Sequence, residues 1–192
     1  LQGDLGRSLW KDTKVTDEVM ARLPVTFELS VVAFIFSLIL AIPIGVYSAI
    51  RQDTAGDYAG RTISILGIAV PNFWLGTMVI IYPAIWWGWA PQIELISFWE
   101  NPIGNLKLFI LPGVVLGFAL SGVTMRMTRA MMLEVLRQDY IRTAWAKGLR
   151  EKVVILRHAL KNALIPVVTL IGLYIPVLIG GTVIIEQIFV LP

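Results

Sequence analysis

Nine cationic side chains lie between Arg126 and Lys161, against only Glu134, Asp139 and Glu151, and form the densest chemistry in this sequence. Such a cluster can attract anionic lipid, nucleic acid or an acidic protein surface, but cannot by itself break a bond. Catalytic equipment is scarce elsewhere. With no cysteine in the chain, thiolate nucleophiles, thiolate metal sites and disulfides are excluded. The single histidine, His158, sits among the cations and reads as a packing or capping residue rather than a metal ligand. No G-x-x-x-x-G-K-[ST] run is present, so the chain has no P-loop for ATP. An intramembrane protease would need an aspartate pair, a serine with a general base, or H-E-x-x-H zinc ligands; the long uncharged stretches hold no aspartate and no histidine. The expectation is therefore no enzyme, no cofactor and no metal.

The elements that position the cations are set by composition. Of 192 residues, 57% are hydrophobic and 15% charged, with a mean hydropathy of +0.76. A soluble domain has roughly 45–50% apolar and about 25% charged residues. A soluble globular protein is disfavoured and disorder is excluded. A membrane-crossing helix needs about 20 mostly apolar residues, and four uncharged stretches qualify: Leu29–Ile50, Thr62–Ile93, Leu108–Met125 and Asn162–Ile185. The second is too long for one straight crossing, so its span is placed at about 62–84, with Trp86, Trp87 and Trp89 at the interface, where indole rings concentrate. The expected class is an all-α polytopic transmembrane bundle with spans at about 25–50, 62–84, 108–128 and 162–185.

Arginine and lysine are costly inside a bilayer, so the segment 126–161 should stay in water, and the positive-inside rule puts it in the cytoplasm. The 51–61 loop, with Arg51 and Arg61, shares that side because two spans separate the loops. Arg7, Lys11, Lys14, Arg22 and Lys107 then lie outside, and residues 1–24 form an external segment, as does the C-terminal end. The chain opens on Leu1 and stops at Pro192 straight after the last span, which reads as an internal piece of a longer protein. Glu28 and Glu186, at the outer ends of spans one and four, are expected to be simply solvated. Asn72, beside Pro71, is expected either to satisfy a carbonyl freed by the proline or to line a pathway.

Two stripes of small residues, Ala41/Gly45/Ala49 and Gly113/Gly117/Ser121, recur every four positions and suit close helix packing. Met131–Lys147 contains strong helix formers without Pro or Gly, so the third span should continue out of the membrane as helix. Lys147-Gly148 reads as a helix end, with a cation in the last turn and glycine beyond it. A second helix should restart near Arg150 and run to Asn162. The product is a helix–turn–helix projection from about 129 to 161. An anchor on anionic lipid is the plainer reading; the length and the glycine turn favour docking. Nucleic acid is disfavoured, because Tyr140 and Trp145 are the segment's only aromatics and the charge is already explained.

Thr143-Ala144-Trp145-Ala146-Lys147-Gly148-Leu149, followed by Arg157-His158-Ala159-Leu160-Lys161-Asn162-Ala163-Leu164-Ile165-Pro166, resembles the cytoplasmic EAA loop of binding-protein-dependent ABC transporter permeases. The narrower likeness is to the dipeptide/oligopeptide/nickel branch. Gly3-Asp4-Leu5-Gly6-Arg7-Ser8, Arg22-Leu23-Pro24, Val70-Pro71-Asn72-Phe73-Trp74-Leu75-Gly76 and Glu134-Val135-Leu136-Arg137-Gln138-Asp139-Tyr140 agree in order and spacing. Residues 25–192 would then be an importer-type transmembrane domain in the plasma membrane of a bacterium or archaeon.

The resemblance implies that this loop is a coupling helix seated in a cleft of a cytoplasmic ATP-binding subunit, with Arg142, Thr143, Ala144, Lys147, Gly148 and Leu149 at the docking surface. It also implies a second homologous permease subunit, an external solute-binding protein, and transport of dipeptides, oligopeptides, glutathione or nickel complexes. The chain departs from the general pattern in three places. Arg142-Thr143-Ala144 stands for Glu-Ala-Ala, Trp145 takes a position commonly arginine in the peptide branch, and Lys161 replaces a proline. The alternative is a membrane scaffold or receptor whose basic loop binds lipid or a non-ATPase partner.

Overall fold

A computed structural model describes residues 5–8, 12–90 and 96–191. Gly3 and Asp4 of the amino-terminal motif, together with Lys11, lie outside the described residues. Among those described the chain is all-helical, apart from one isolated antiparallel bridge between Arg7 and Lys14. Three helices are long and apolar enough to cross a membrane: α1 (Val15–Ile50), α4 (Pro102–Leu136) and the rod that runs from Glu151 to Ile188. That rod consists of α6 (Glu151–Val153), a π-helical stretch Val154–Ala159 and α7 (Leu160–Ile188). Between them lie α2 (Ala55–Ala69), α3 (Asn72–Trp87) and α5 (Asp139–Ala146).

Helix α1 begins at Val15 rather than near 25, so the second half of the segment read as an external loop is its first turns. The larger difference concerns the second span. Instead of one helix over 62–84, α2 and α3 meet at a 98° bend. The cause is local. Val70 precedes a proline and takes an extended conformation (φ −82°, ψ 120°), and Pro71 has no N–H to continue the helix. Thr54 caps the start of α2 and left-handed Gly88 (φ 63°) ends α3. Neither half, at 15 and 16 residues, spans a bilayer alone; only the bent pair makes the fourth candidate crossing. Asn72 opens α3. It borders a cavity of about 230 Å³ between α2, α4 and α7, beside Tyr174 and Leu120.

The core is the seam between α1 and α4. Val25, Leu29, Ala33, Ser37, Ala41, Gly45 and Ala49, each four positions from the next, are all buried. Facing them are Gly113, Gly117, Ser121 and Thr128. The small-residue stripes of the two helices therefore pack against each other. A Cβ on Gly45 would lie 2.8 Å from the Thr128 Cβ, and one on Gly117 would strike the carbonyl oxygen of Ala33. With lipid outside as apolar as the helices themselves, such backbone proximity is what holds membrane helices together. Helix α2 crosses α4 in the same manner, Gly67 facing the Phe118 carbonyl.

The two glutamates are not simply solvated. Glu186 is buried and accepts a hydrogen bond from Thr26 Oγ1 at 2.8 Å, fastening α7 to α1. Glu28 is half-buried and accepts from Asn105 Nδ2 at 2.9 Å, fastening α1 to α4.

Candidate functional site

The projecting segment is not one continuous helix from Met131 to Lys147. Helix α4 stops at Leu136, Gln138 is extended, and α5 starts at Asp139. Propensity does not forbid a continuous helix here; packing overrides it. Turning the chain at Arg137-Gln138 folds α5 back so that Ile141 (0% exposed) and Ala144 (6%) enter a core with Val46, Ala49, Met132, Val154 and Ala159. Asp139 places a carboxylate in the first turn of α5, the favourable end of the helix dipole.

The far end of α5 is closed by a Schellman motif. Gly148 (φ 74°) donates its N–H to the Trp145 carbonyl at 2.9 Å, and Leu149 N–H reaches back to the Ala144 carbonyl at 3.4 Å. The chain then turns through Arg150 into the Glu151–Ile188 rod. A side-chain bond crosses the same gap, Asn162 Nδ2 donating to Tyr140 Oη at 2.7 Å. The result is an elbow fixed at both ends, to α4 and to the rod.

Of the six residues assigned to docking, the structure brings Arg142, Thr143, Lys147, Gly148 and Leu149 to the exposed face of this elbow. Ala144 differs: its side chain points into the core, so it seats the helix and presents no contact surface. Trp145, 44% exposed, stands on the outward face and adds a large apolar contact to it. Arg142 reaches Asp139 at 3.4 Å in a pair that is almost wholly solvent-exposed. His158 is half-buried, and its backbone carbonyl accepts from Asn162 Nδ2 at 3.4 Å. Among the described residues, no three histidine, aspartate or glutamate side chains gather into a metal site.

Beneath the elbow lies a charged cluster the sequence reading missed. Asp57, on the first turn of α2, is fully buried. Arg129 of α4 grips it bidentately, Nε to Oδ1 and a terminal nitrogen to Oδ2, both at 2.8 Å. Arg61 adds bonds at 2.6 and 3.2 Å from one turn along α2. Ser48 of α1 donates its hydroxyl to Oδ1, and the Asp53 N–H reaches Oδ2 at 3.0 Å. Every lone pair of the carboxylate is engaged, which is what a buried charge requires. Arg129, read from the sequence as a water-exposed cation, is instead largely buried, with a side chain 19% exposed. Asp57 and Arg61 at i,i+4 were visible in the sequence; a partner 72 residues away was not.

Comparison with known proteins adds a family to this geometry. Residues 41–191 match the family described as "Binding-protein-dependent transport system inner membrane component". The chain is 45% identical to an oligopeptide transport system permease protein of Bacillus subtilis (strain 168), covering 100% of this chain and 62% of that protein. It is 39% identical to a glutathione transport system permease protein of Pectobacterium atrosepticum, covering 98% and 59%. It is 37% identical to a dipeptide transport system permease protein of Escherichia coli (strain K12), covering 100% and 63%. The chain thus spans about 60% of the length of these relatives.

Proposed function

From a chain that belongs to the binding-protein-dependent transport system inner membrane components, we propose the permease subunit of an ABC importer that forms the pathway for a peptide or a closely related solute. It is a multi-pass inner membrane protein. The similar proteins named above carry oligopeptides, dipeptides and glutathione in their descriptions, which supports a peptide-class cargo. Its partners are cytoplasmic ATP-binding subunits, a second homologous permease and an external solute-binding protein. Loops 51–61 and 126–161 face the cytoplasm, and residues 1–24 and the C-terminal end lie outside.

The observation that carries this reading is the elbow. Helix α5 offers an outward face of Arg142, Thr143, Trp145 and Lys147, while Ile141 and Ala144 lock it to the inner ends of α1 and α4. A short helix seated in this way works as a handle: a partner gripping it pulls on α4 and on the rod together. Alternating access requires such a rigid link between two discrete arrangements.

A single cysteine at Thr143 tests the reading, since these 192 residues hold none of their own. In the full-length protein co-expressed with its ATPase, a disulfide should form to a cysteine in the ATPase cleft, with a yield that changes with ATP. Correct insertion without capture from Thr143, Lys147 or Leu149 would count against coupling and leave the scaffold reading ahead.

A further inference from the structure

Outside the elbow, the structure holds a cavity of about 700 Å³ between α2 and α4, bordered by Arg61, Arg126, Arg129, Gln52, Ile65 and Ala130. Asp53 and Ser64 complete its wall. Its charges are unevenly committed. Arg129 and Arg61 are engaged by Asp57, and Arg61 also pairs with Asp53 at 3.2 Å. Arg126, three residues before Arg129 on α4, has no side-chain hydrogen bond or ion pair among the described residues and opens onto the same space. Three guanidiniums therefore border the cavity against the carboxylate of Asp53 and, behind the wall, that of Asp57, which is fully buried under six hydrogen bonds from four residues. A free arginine beside a positively biased cavity suits the fork-like recognition of a phosphate.

One wall points to the source of that phosphate. Ile65 borders the cavity and is 57% exposed; Ile68, one turn further along α2, is 45% exposed. They continue the cationic end as an apolar track toward the middle of the bundle. We propose that this cavity binds a phosphate-bearing anion, the headgroup of an anionic phospholipid, with Arg126 as its principal contact and the acyl chains along Ile65 and Ile68. Basic pockets between membrane helices take such headgroups. The cavity chemistry is independent of the cargo; only its assignment to the inner leaflet rests on the orientation proposed above.

The test uses the full-length protein in its assembly with its partner subunits, extracted from membranes and titrated with phosphatidylglycerol or phosphatidylcholine. Retained lipid is counted by native mass spectrometry. Phosphatidylglycerol should be retained in preference to phosphatidylcholine. Arg126→Gln should weaken that retention about tenfold, the loss of one charge-assisted hydrogen bond. Lys161→Gln, which removes an exposed cation on the rod away from the cavity, should leave it unchanged. Equal retention by Arg126→Gln and the parent, or an equal loss in Lys161→Gln, overturns the site. Displacement of the lipid by inorganic phosphate at millimolar concentration assigns the cavity to free phosphate and overturns the lipid assignment. Because the readout requires no transport, failure here is distinct from failure of the permease reading.

Discussion

Ser48 and Ala49 are neighbours on α1 that serve different partners: the Ser48 hydroxyl donates to the Asp57 carboxylate, while Ala49 packs into the elbow core beside Ile141 and Ala144. Helix α4 repeats the arrangement. Arg129 grips Asp57, and Met132, almost one turn later, is fully buried among the elbow residues. Two helices thus carry the elbow on one face and the charged clasp on another. A force on α5 reaches α2 through rigid helix ends rather than through loops.

Asp57→Ala would leave the Arg129 guanidinium largely buried without its counterion. Removing one partner of a buried pair costs about 3–5 kcal/mol. The expected result is a clear fall in thermal stability of the detergent-extracted protein, followed by intrinsic fluorescence. In a double-mutant cycle, Asp57→Ala with Arg129→Ala should cost less than the sum of the two single changes, since neither charge is then orphaned. Additive losses would show that the clasp is not one unit.

Gly148 separates a backbone effect from a steric one. A Cβ there meets nothing within 4 Å, but φ is 74°. The left-handed conformation costs roughly 1–2 kcal/mol for an ordinary L-residue and less for asparagine. Gly148→Val should insert normally yet uncouple ATP hydrolysis from uptake, whereas Gly148→Asn should retain most of the coupling. Normal uptake by the valine variant would remove the turn from the mechanism.

Ile141 and Leu149 should part stability from coupling. Ile141→Ala empties a site that is 0% exposed and is expected to cost about 2–5 kcal/mol. Leu149 is 38% exposed, so Leu149→Ala should leave the melting temperature within a degree or two and lower ATP-dependent uptake. A matched fall in stability for both would show that Leu149 serves the fold instead of a partner.

The helix seam makes a sharper contrast. Gly117→Ala drives a methyl into the Ala33 carbonyl, while Gly172→Ala adds one where nothing lies within 4 Å. The first should reduce the yield of folded protein several-fold and the second should not, as measured by size-exclusion profiles after extraction.

The helical class and the apolar stretches were legible because an uncharged run of the required length has few other uses. So was the glycine turn, since Lys147-Gly148 carries its own local signal. Three features were not. The bend at Val70-Pro71 was hidden within an apolar run, where proline is tolerated often enough in membrane helices that its presence did not force a break. The break at Arg137-Gln138 has no proline or glycine at all; it exists because Ile141 and Ala144 gain a core by turning back. The Asp57–Arg129 pair was illegible for a different reason. Its members are 72 residues apart, and a count of charges by segment assigns each to its own loop.

Seven of the buried residues of α1, from Val25 to Ala49, sit at intervals of four along 25 residues of helix. Like teeth on a rack, they are about 6 Å apart, at 1.5 Å per residue. The α4 backbone lies so close, at Gly45 and Gly117, that no smaller slip leaves the teeth engaged. Gradual sliding between the two helices is therefore blocked, and they travel as one rigid axle. Movement is left to the α2–α3 joint at Pro71 and to the middle of the rod, between its fastenings at Asn162 and Glu186, where its apolar window is only 22% buried within this chain.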